Sequence, residues 1–315
     1  DRFLDGITMY RLVLYCLNAL VGYSVVFRVE VNLIFSPLIL LGVGWVANWL
    51  FAKIYSAPTN VESVYISALI LALIISPVLS TSGYKFLLLA AVLTMASKFI
   101  LAIGKKHIFN PVAIAVFLTS VARGWFATWW IGQPVMLPVI VLGGLLIIRK
   151  TRRFGMVFSF LASAIVVTLL AKSDVRLLLL HSPLIFIASI MLTEPQTTPS
   201  TNNLRLAYGA LVGMLFAHTT PELALVVGNV FSYLVSSKQK LTMILKDKVH
   251  VASGIWNYVF TTDQKLNFRP GQYLEWTLSH PHPDARGNRR YFSIASSPTE
   301  AHLTFGTKFS EAGSS

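Results

Sequence analysis

The sequence predicts an α-helical polytopic membrane protein of about ten spans, followed by a small antiparallel β-barrel domain. Three observations predict it. First, 55% of the 315 residues are hydrophobic and only 12% are charged, against roughly 25% in a soluble domain, and mean hydropathy is +0.65. Second, apolar runs recur along residues 1–237. Third, from residue 238 to 315 the texture changes to alternating apolar and polar residues broken by turn signals, which is the period of strands. The net charge of +13, from 26 Lys+Arg against 13 Asp+Glu, reads in such a chain as a topology signal rather than as a nucleic-acid surface. Cys16 is the single cysteine, so neither an internal disulfide nor a four-thiolate iron–sulfur cluster is built from this chain. The chain opens on Asp and breaks off in mid-pattern at "FGTKFSEAGSS", so the protein is expected to continue at both ends.

Taken in order, the apolar runs cover roughly 9–27, 32–52, 62–80, 84–104, 109–122, 134–148, 154–171, 177–192, 206–218 and 221–237; several fall short of the ~20 residues of a simple span. The short runs near 109–122 and 206–218 begin with "FNP" and follow "TNNLR". Short, Pro- or Asn-punctuated segments at comparable places in two halves point to an inverted repeat with broken helices; tilted helices with miscounted ends are the other reading.

The connecting segments alternate in charge. "GKKHIFN", "RKTRR", "TEPQTTPSTNNLR" and "SSKQK", with their flanks and the N-terminus, hold more than twice the Lys/Arg of "RVEV", "TSGYK", "ARGWFATWWIGQP", "KSDVR" and "HTTPE". The positive-inside rule puts the first set, and with it both termini and the β domain, in the cytoplasm, in a multi-pass protein of the inner membrane. Trp125, Trp129 and Trp130 then lie on the outer side as an aromatic belt, or, with Phe126, line the site of a second carrier.

Ionisable side chains are few in the helical part. Lys98 is a site candidate by default, or a snorkelling lysine. "KKHIFNPVAIAVF" and "IMLTEPQTTPSTNN" are polar and Pro-broken, and irregular backbone at membrane depth is tolerated where it lines a site. They offer Asn110, Thr193, Glu194, Thr197, Thr198, Asn202 and Asn203. Amides and hydroxyls of this kind suit the uracil-like edge of a flavin, which wants donors and acceptors; they also suit helix capping. Glu62, Asp174, Glu194 and Glu222 sit near span ends.

"SKFILAIGKKHIFNPVAIAVFL" and "LTEPQTTPSTNNLRLAYGALVGML" resemble the RnfD/NqrB family, flavin-carrying membrane subunits of Rnf complexes and of Na⁺-translocating NADH:quinone reductase. The resemblance covers roughly 60–237. It implies ten spans in two inverted five-helix repeats with flavin held between them. By position, Lys98, His107, Asn110, Pro111, Thr193, Glu194 and Pro195 would surround that flavin on the cytoplasmic side. His107 or a neighbour replaces the family's first Asn, and Glu194 its Asp. The family's Ser/Thr-Gly-Ala-Thr attachment motif is missing from the sequence, so the resemblance implies a non-covalent membrane flavin, riboflavin or FMN.

In the tail, "RPGQY" followed by "RRYFSIASSP" resembles the FAD-binding barrel of the ferredoxin–NADP⁺ reductase family. The resemblance implies that Arg290 binds the FAD pyrophosphate or ribityl chain, for which a guanidinium fork is suited. Phe292 would pack on the isoalloxazine, beside Tyr291, and Ser293 would stand near flavin N5 as the catalytic residue. Ile294, Ala295 and Ser296 would line the cofactor through their backbone. Gly313, Ser314 and Ser315 resemble the start of the pyrophosphate-binding helix, with the nicotinamide domain expected beyond. Together these readings lead us to expect electron transfer from NAD(P)H through FAD to the membrane flavin and on to a quinone or an extracytoplasmic or partner acceptor. Two other readings stand beside it. A haem-bearing, ferric-reductase-like protein has only His181 and His218 near helices as ligands. A solute transporter with a regulatory barrel has few intramembrane charges with which to couple ions.

Overall fold

The computed structural model of the chain describes residues 7–28, 32–57, 61–77, 80–103, 106–236, 241–263, 266–277 and 289–308. Two compact units emerge: Met9–Ser237, and a second comprising Lys238–Ser315 with Asp1–Thr8.

The first unit is helical. Its elements are α1 (Met9–Arg28), α2 (Asn32–Ile54), α3 (Val61–Ile74), α4 (Thr81–Ile100), a hairpin of β1 (Ala102–Ile103) and β2 (Lys106–His107), α5 (Pro111–Arg123), α6 (Leu137–Thr151), α7 (Phe154–Leu170), α8 (Val175–Leu180), α9 (Leu184–Phe186) running into a π turn at Ile187–Met191, α10 (Asn202–Phe216) and α11 (Pro221–Val235). Among the described residues, four segments are long and apolar enough to cross a bilayer: Met9–Phe27, Ile34–Ile54, Thr81–Ile100 and Pro134–Thr151. Large apolar side chains lie open on the helix surfaces, Phe158 at 72% and Leu170 at 77% exposed among them. An aqueous surface rarely tolerates this and a lipid-facing one requires it. The unit is that of an integral membrane protein.

All ten apolar runs fall on helical segments, but their ends move for local reasons. The run 62–80 stops at Ile74, because Ser76-Pro77 cannot continue a helix. The run 84–104 gives way after Ile100 to the small hairpin. The run 177–192 is broken at Ser182-Pro183 into α8 and the α9–π segment. α5 is cut at both ends by its own residues. Asn110 caps it, Pro111 takes the first position where no N–H is needed, and Gly124 closes it in the left-handed region at φ 66°. Thirteen residues rise only about 20 Å, well under the ~30 Å hydrocarbon core. A helix this short, packed among spanning ones, must therefore find partners for its end groups within the protein.

Packing follows a repeating scheme. α1 packs on α3, α2 on α3 and α4, and α4 on α5. In the second half α6 packs on α9 and the π turn, α7 on α8, the π turn and α10, and α10 on α11. The halves meet first to first and last to last, α1 on α6 and α5 on α11. The tightest seam, α7 with α10, is made by small residues. A Cβ on Gly209 would stand 2.4 Å from Met156 O, and one on Gly213 would stand 2.3 Å from Phe160 O and 2.1 Å from Ser163 Oγ. Only glycine lets the backbones approach this closely, the small-xxx-small device of membrane helices.

The second unit is built of antiparallel strands: β3 (Met243–Ala252), β4 (Ile255–Thr262) and β7 (Leu303–Lys308) in the order β3-β4-β7, and a separate pair, β5 (Tyr273–Thr277) with β6 (Arg289–Ser293). Turns that need positive φ use glycine, at Gly254 and at Gly271 of "RPGQ". A core of Ile294, Leu303 and Phe305 lies under Phe260, Trp276 and Phe292, and the rings of Phe260, Trp276, Phe292 and Phe305 meet edge to face at 5.0–5.8 Å. The expected closed barrel does not form among the described residues. Among the described residues β4 has both edges filled by β3 and β7, and β5 pairs only with β6, so these two sheets stay separate and share apolar faces instead. The chain just after β6 bridges them, Ile294 N donating to Gln272 O at 3.0 Å and Ala295 N to Thr304 O at 2.8 Å.

Candidate functional site

Two broken helix ends meet inside the helical unit. One is the start of α5. There Asn110 Oδ1 accepts from Val112 N and Ala113 N, each at 3.1 Å, which leaves its amide free to donate outward. The other is the chain after the π turn, where "TEP" ends the segment. Asn110 Nδ2 donates to Glu194 Oε2 at 2.9 Å. Thr197 Oγ1 donates to the same oxygen at 3.4 Å, and His107 Nε2, from β2, lies 3.1 Å from Glu194 Oε1. The carboxylate thus sits against the N-terminal end of α5, where the helix dipole favours negative charge.

Other residues extend the cluster. Asn110 N donates to Asn229 Oδ1 of α11 at 2.7 Å, and Asn229 Nδ2 donates to Tyr208 OH of α10 at 3.1 Å. Asn229 and Tyr208 are both fully buried. Thr193 Oγ1 donates back to Ser189 O at 2.6 Å. Arg153, at the start of α7, donates to Thr193 O at 2.8 Å and to Thr198 Oγ1. Lys98 Nζ donates to Ser63 O at 2.9 Å and Ser63 Oγ at 3.0 Å.

A cleft of about 50 Å³ opens at this junction. Val13, Ile66, Ile70 and Ile190 form apolar walls from three elements, and Ser63, Asn110 and Glu194 form a polar edge. The donor set fits a planar ring with apolar faces and a hydrogen-bonding rim, as a flavin has. The space is smaller than one aromatic ring needs, since a cavity of about 150 Å³ holds benzene. A flavin would therefore enter only with displacement of a lining side chain.

Of the membrane-flavin residues expected from the sequence, Asn110, Pro111 and Glu194 line this cleft. His107 is bonded to Glu194 and Lys98 to the cleft residue Ser63, while Thr193 and Pro195 flank Glu194 along the chain. Asn202 is exposed, its Oδ1 accepting from Arg205, and Asn203 is exposed too; neither joins the cluster. Asn229, Tyr208, Arg153 and Ser63 escaped the sequence reading. Only the rarity of Asn in an apolar helix singles out Asn229.

The aromatic segment after α5 is not an open belt. Trp129 and Trp130 are 7% and 5% exposed. Trp129 Nε1 donates to Glu222 Oε2 at 2.9 Å. Trp130 Nε1 donates to Ala72 O at 3.0 Å and Ile75 O at 3.2 Å, and Trp129 N donates to Ile74 O at 2.8 Å. The Trp130 indole and the Trp129 backbone N–H close the broken end of α3 by taking its orphan carbonyls, while the Trp129 indole is spent on Glu222 of α11. Phe126 alone stays open, at 61%, while Trp125 packs on Phe86 at 6.0 Å. His181 and His218 are both exposed at helix ends, which is no place for the facing ligand pair a haem requires.

In the β unit, Arg290 and Tyr291 lie on β6, their backbones opposite Trp276 and Glu275; their side chains, with Gly313, Ser314 and Ser315, lie outside the described residues. Phe292 is turned into the core, 5.6 Å from Trp276 at 81°. Ser293 and Ala295 are exposed, and Ile294 and Ser296 are buried. Ser296 Oγ accepts from Thr304 N at 3.1 Å. Because the N–H groups of Ile294 and Ala295 bond within the protein, they are not available to a ligand.

No curated protein matches the chain. One family model does: residues 119–236, rather more than a third of the chain, match the NQR2, RnfD, RnfE family. The matched stretch runs from the last turn of α5 to the end of α11. It includes Arg153, Glu194, Tyr208 and Asn229 and stops short of Lys98, His107 and Asn110. Over that stretch the chain is similar to membrane subunits of redox-linked complexes that commonly carry a flavin.

Proposed function

We propose that the chain is a membrane flavoprotein oxidoreductase. Electrons enter from cytoplasmic NAD(P)H through FAD held by residues 238–315. They pass to a non-covalent flavin, riboflavin or FMN, held in the helical unit, and leave to a quinone or to an extracytoplasmic or partner acceptor. The observation that carries this reading is the junction of Asn110, Glu194 and His107 beside apolar walls. Ionisable and polar side chains within a membrane protein mark functional sites; Asn110 and Glu194 line the cleft and His107 bonds to Glu194, in a chain whose residues 119–236 resemble redox-complex subunits. A bound flavin supplies the chemistry of accepting a hydride and releasing single electrons.

The protein's residues would do the rest. Asn110 and Ser63 offer an amide and a hydroxyl to the rim of the ring, and Glu194 fixes the amide's direction. The aliphatic side chains exclude water, and His107 brings a ring nitrogen to the carboxylate. The inverted arrangement of two five-helix repeats is part of the proposal, supported by the matching packing schemes of α1–α5 and α6–α11. So is the cytoplasmic placing of both termini, supported by loop charge. Arg290 on β6 is assigned to the FAD pyrophosphate by the motif that surrounds it.

Cofactor extraction from the purified full-length protein, with mass identification, tests the proposal. About two flavins per chain is the expected result, all released by acid. A colourless protein, a Soret band, or flavin that stays on the chain after acid would overturn it.

A further inference from the structure

Arg153 stands in the basic run "RKTRR", yet its environment is unlike that of its neighbours. Arg149 and Arg152 are exposed, whereas Arg153 is 8% exposed. Its Nη1 donates to Thr193 O and to Thr198 Oγ1, and Thr198 Oγ1 in turn donates to Glu194 O at 3.1 Å. The guanidinium therefore grips both ends of the turn that carries Glu194. Taking a guanidinium out of water is costly unless acceptors are waiting. Its acceptors include a carbonyl at the C-terminal, negative end of the π segment and a hydroxyl one turn further on. Glu194, between them, points the other way, to the positive end of α5.

We propose that Arg153 is the positioning residue for Glu194. It clamps the turn at residues 193–198 so that the carboxylate is held against Asn110 and is ready for the polar rim of a bound ring. The proposal rests on the flavin reading for what the carboxylate is ready for, but not for the clamp itself.

Two measurements separate these. In the full chain carrying Cys16→Ser, Thr197→Cys places a thiol at a position that is 2% exposed. Its alkylation rate in detergent then reports whether the turn is closed. Adding Arg153→Gln should raise that rate about tenfold, the loss of one hydrogen bond to a charged group, while Arg153→Lys should keep it within threefold. An unchanged rate with Gln, or a Lys variant as fast as Gln, overturns the clamp. Flavin retained by the helical unit is measured in Arg153→Gln, in Glu194→Gln and in the double variant, all with Thr197 intact. If Arg153 acts through Glu194, the double variant retains as much as Glu194→Gln alone; additive losses overturn that claim. If the unsubstituted protein holds no flavin in this unit, the proposed function fails while the thiol rates still decide the clamp.

Discussion

Leucine and aspartate at position 110 separate the two tasks of the Asn110 side chain. Its Oδ1 caps α5 at 3.1 Å from two N–H groups, and its Nδ2 reaches Glu194 at 2.9 Å. Asn110→Leu removes both. The lost cap costs about 1 kcal/mol. The lost bond between segments costs about 0.6–1.7 kcal/mol, from the average to the largest value for a bond between membrane helices, with the upper end apt for a charged acceptor. The sum is about 2–3 kcal/mol, or a fall in Tm on the order of 5–10 °C for a unit of this size. Asn110→Asp keeps the cap, since aspartate caps as well as asparagine, but sets a second carboxylate against Glu194, so that one must take up a proton or both must move apart. Its stability loss should be about half that of leucine, with the same loss of flavin. Combining Asn110→Asp with Glu194→Gln restores a donor and an acceptor in exchanged roles and should recover part of both. Thermal unfolding in detergent, read by size exclusion with flavin absorbance, gives stability and occupancy together. An aspartate variant indistinguishable from the parent protein, or a double variant no better than either single one, would refute the reasoning.

Four further outcomes follow from the same contacts. Gly213→Val drives a side chain into Phe160 O and Ser163 Oγ and should cost about 2–3 kcal/mol by overpacking, seen as a Tm fall; an unchanged Tm would mean that the seam is slack. Glu222→Leu leaves the buried Trp129 N–H without its acceptor, at about 1–3 kcal/mol, whereas Glu222→Gln keeps a carbonyl there and should cost less; equal losses would show that the bond is not what matters. Thr193→Val should deplete the membrane flavin only, measured by extraction. Arg290→Ala should deplete FAD while leaving the membrane flavin in place, and equal loss of both would argue against two separate sites.

Local signals were legible in the sequence, and pairings were not. Asn110-Pro111 reads as a helix start because capping and the missing proline N–H act within a few residues. The ten apolar runs read as helices because hydrophobicity is local. That Asn110 meets Glu194, 84 positions away, is not written in either stretch, and neither is its bond to Asn229 on α11. Arg153 read as a loop charge because composition cannot distinguish a buried guanidinium from its exposed neighbours. Trp129 and Trp130 read as a lipid belt because an indole suits that role too; their burial follows from partners far along the chain, Glu222 for the Trp129 indole and the carbonyls at the end of α3 for the Trp130 indole. The strand alternation after 238 correctly gave antiparallel sheets, but closure depends on which edges pair, and a period of two does not encode that.

The place where Asn110 and Glu194 touch has a consequence for biogenesis. The two side chains come from opposite halves of the helical unit, so the first half alone supplies most of the cleft's lining but not Ile190 and Glu194. The cleft is completed when the late segments dock beside the early ones. On the proposed function, a flavin would lodge only after those late segments are in place.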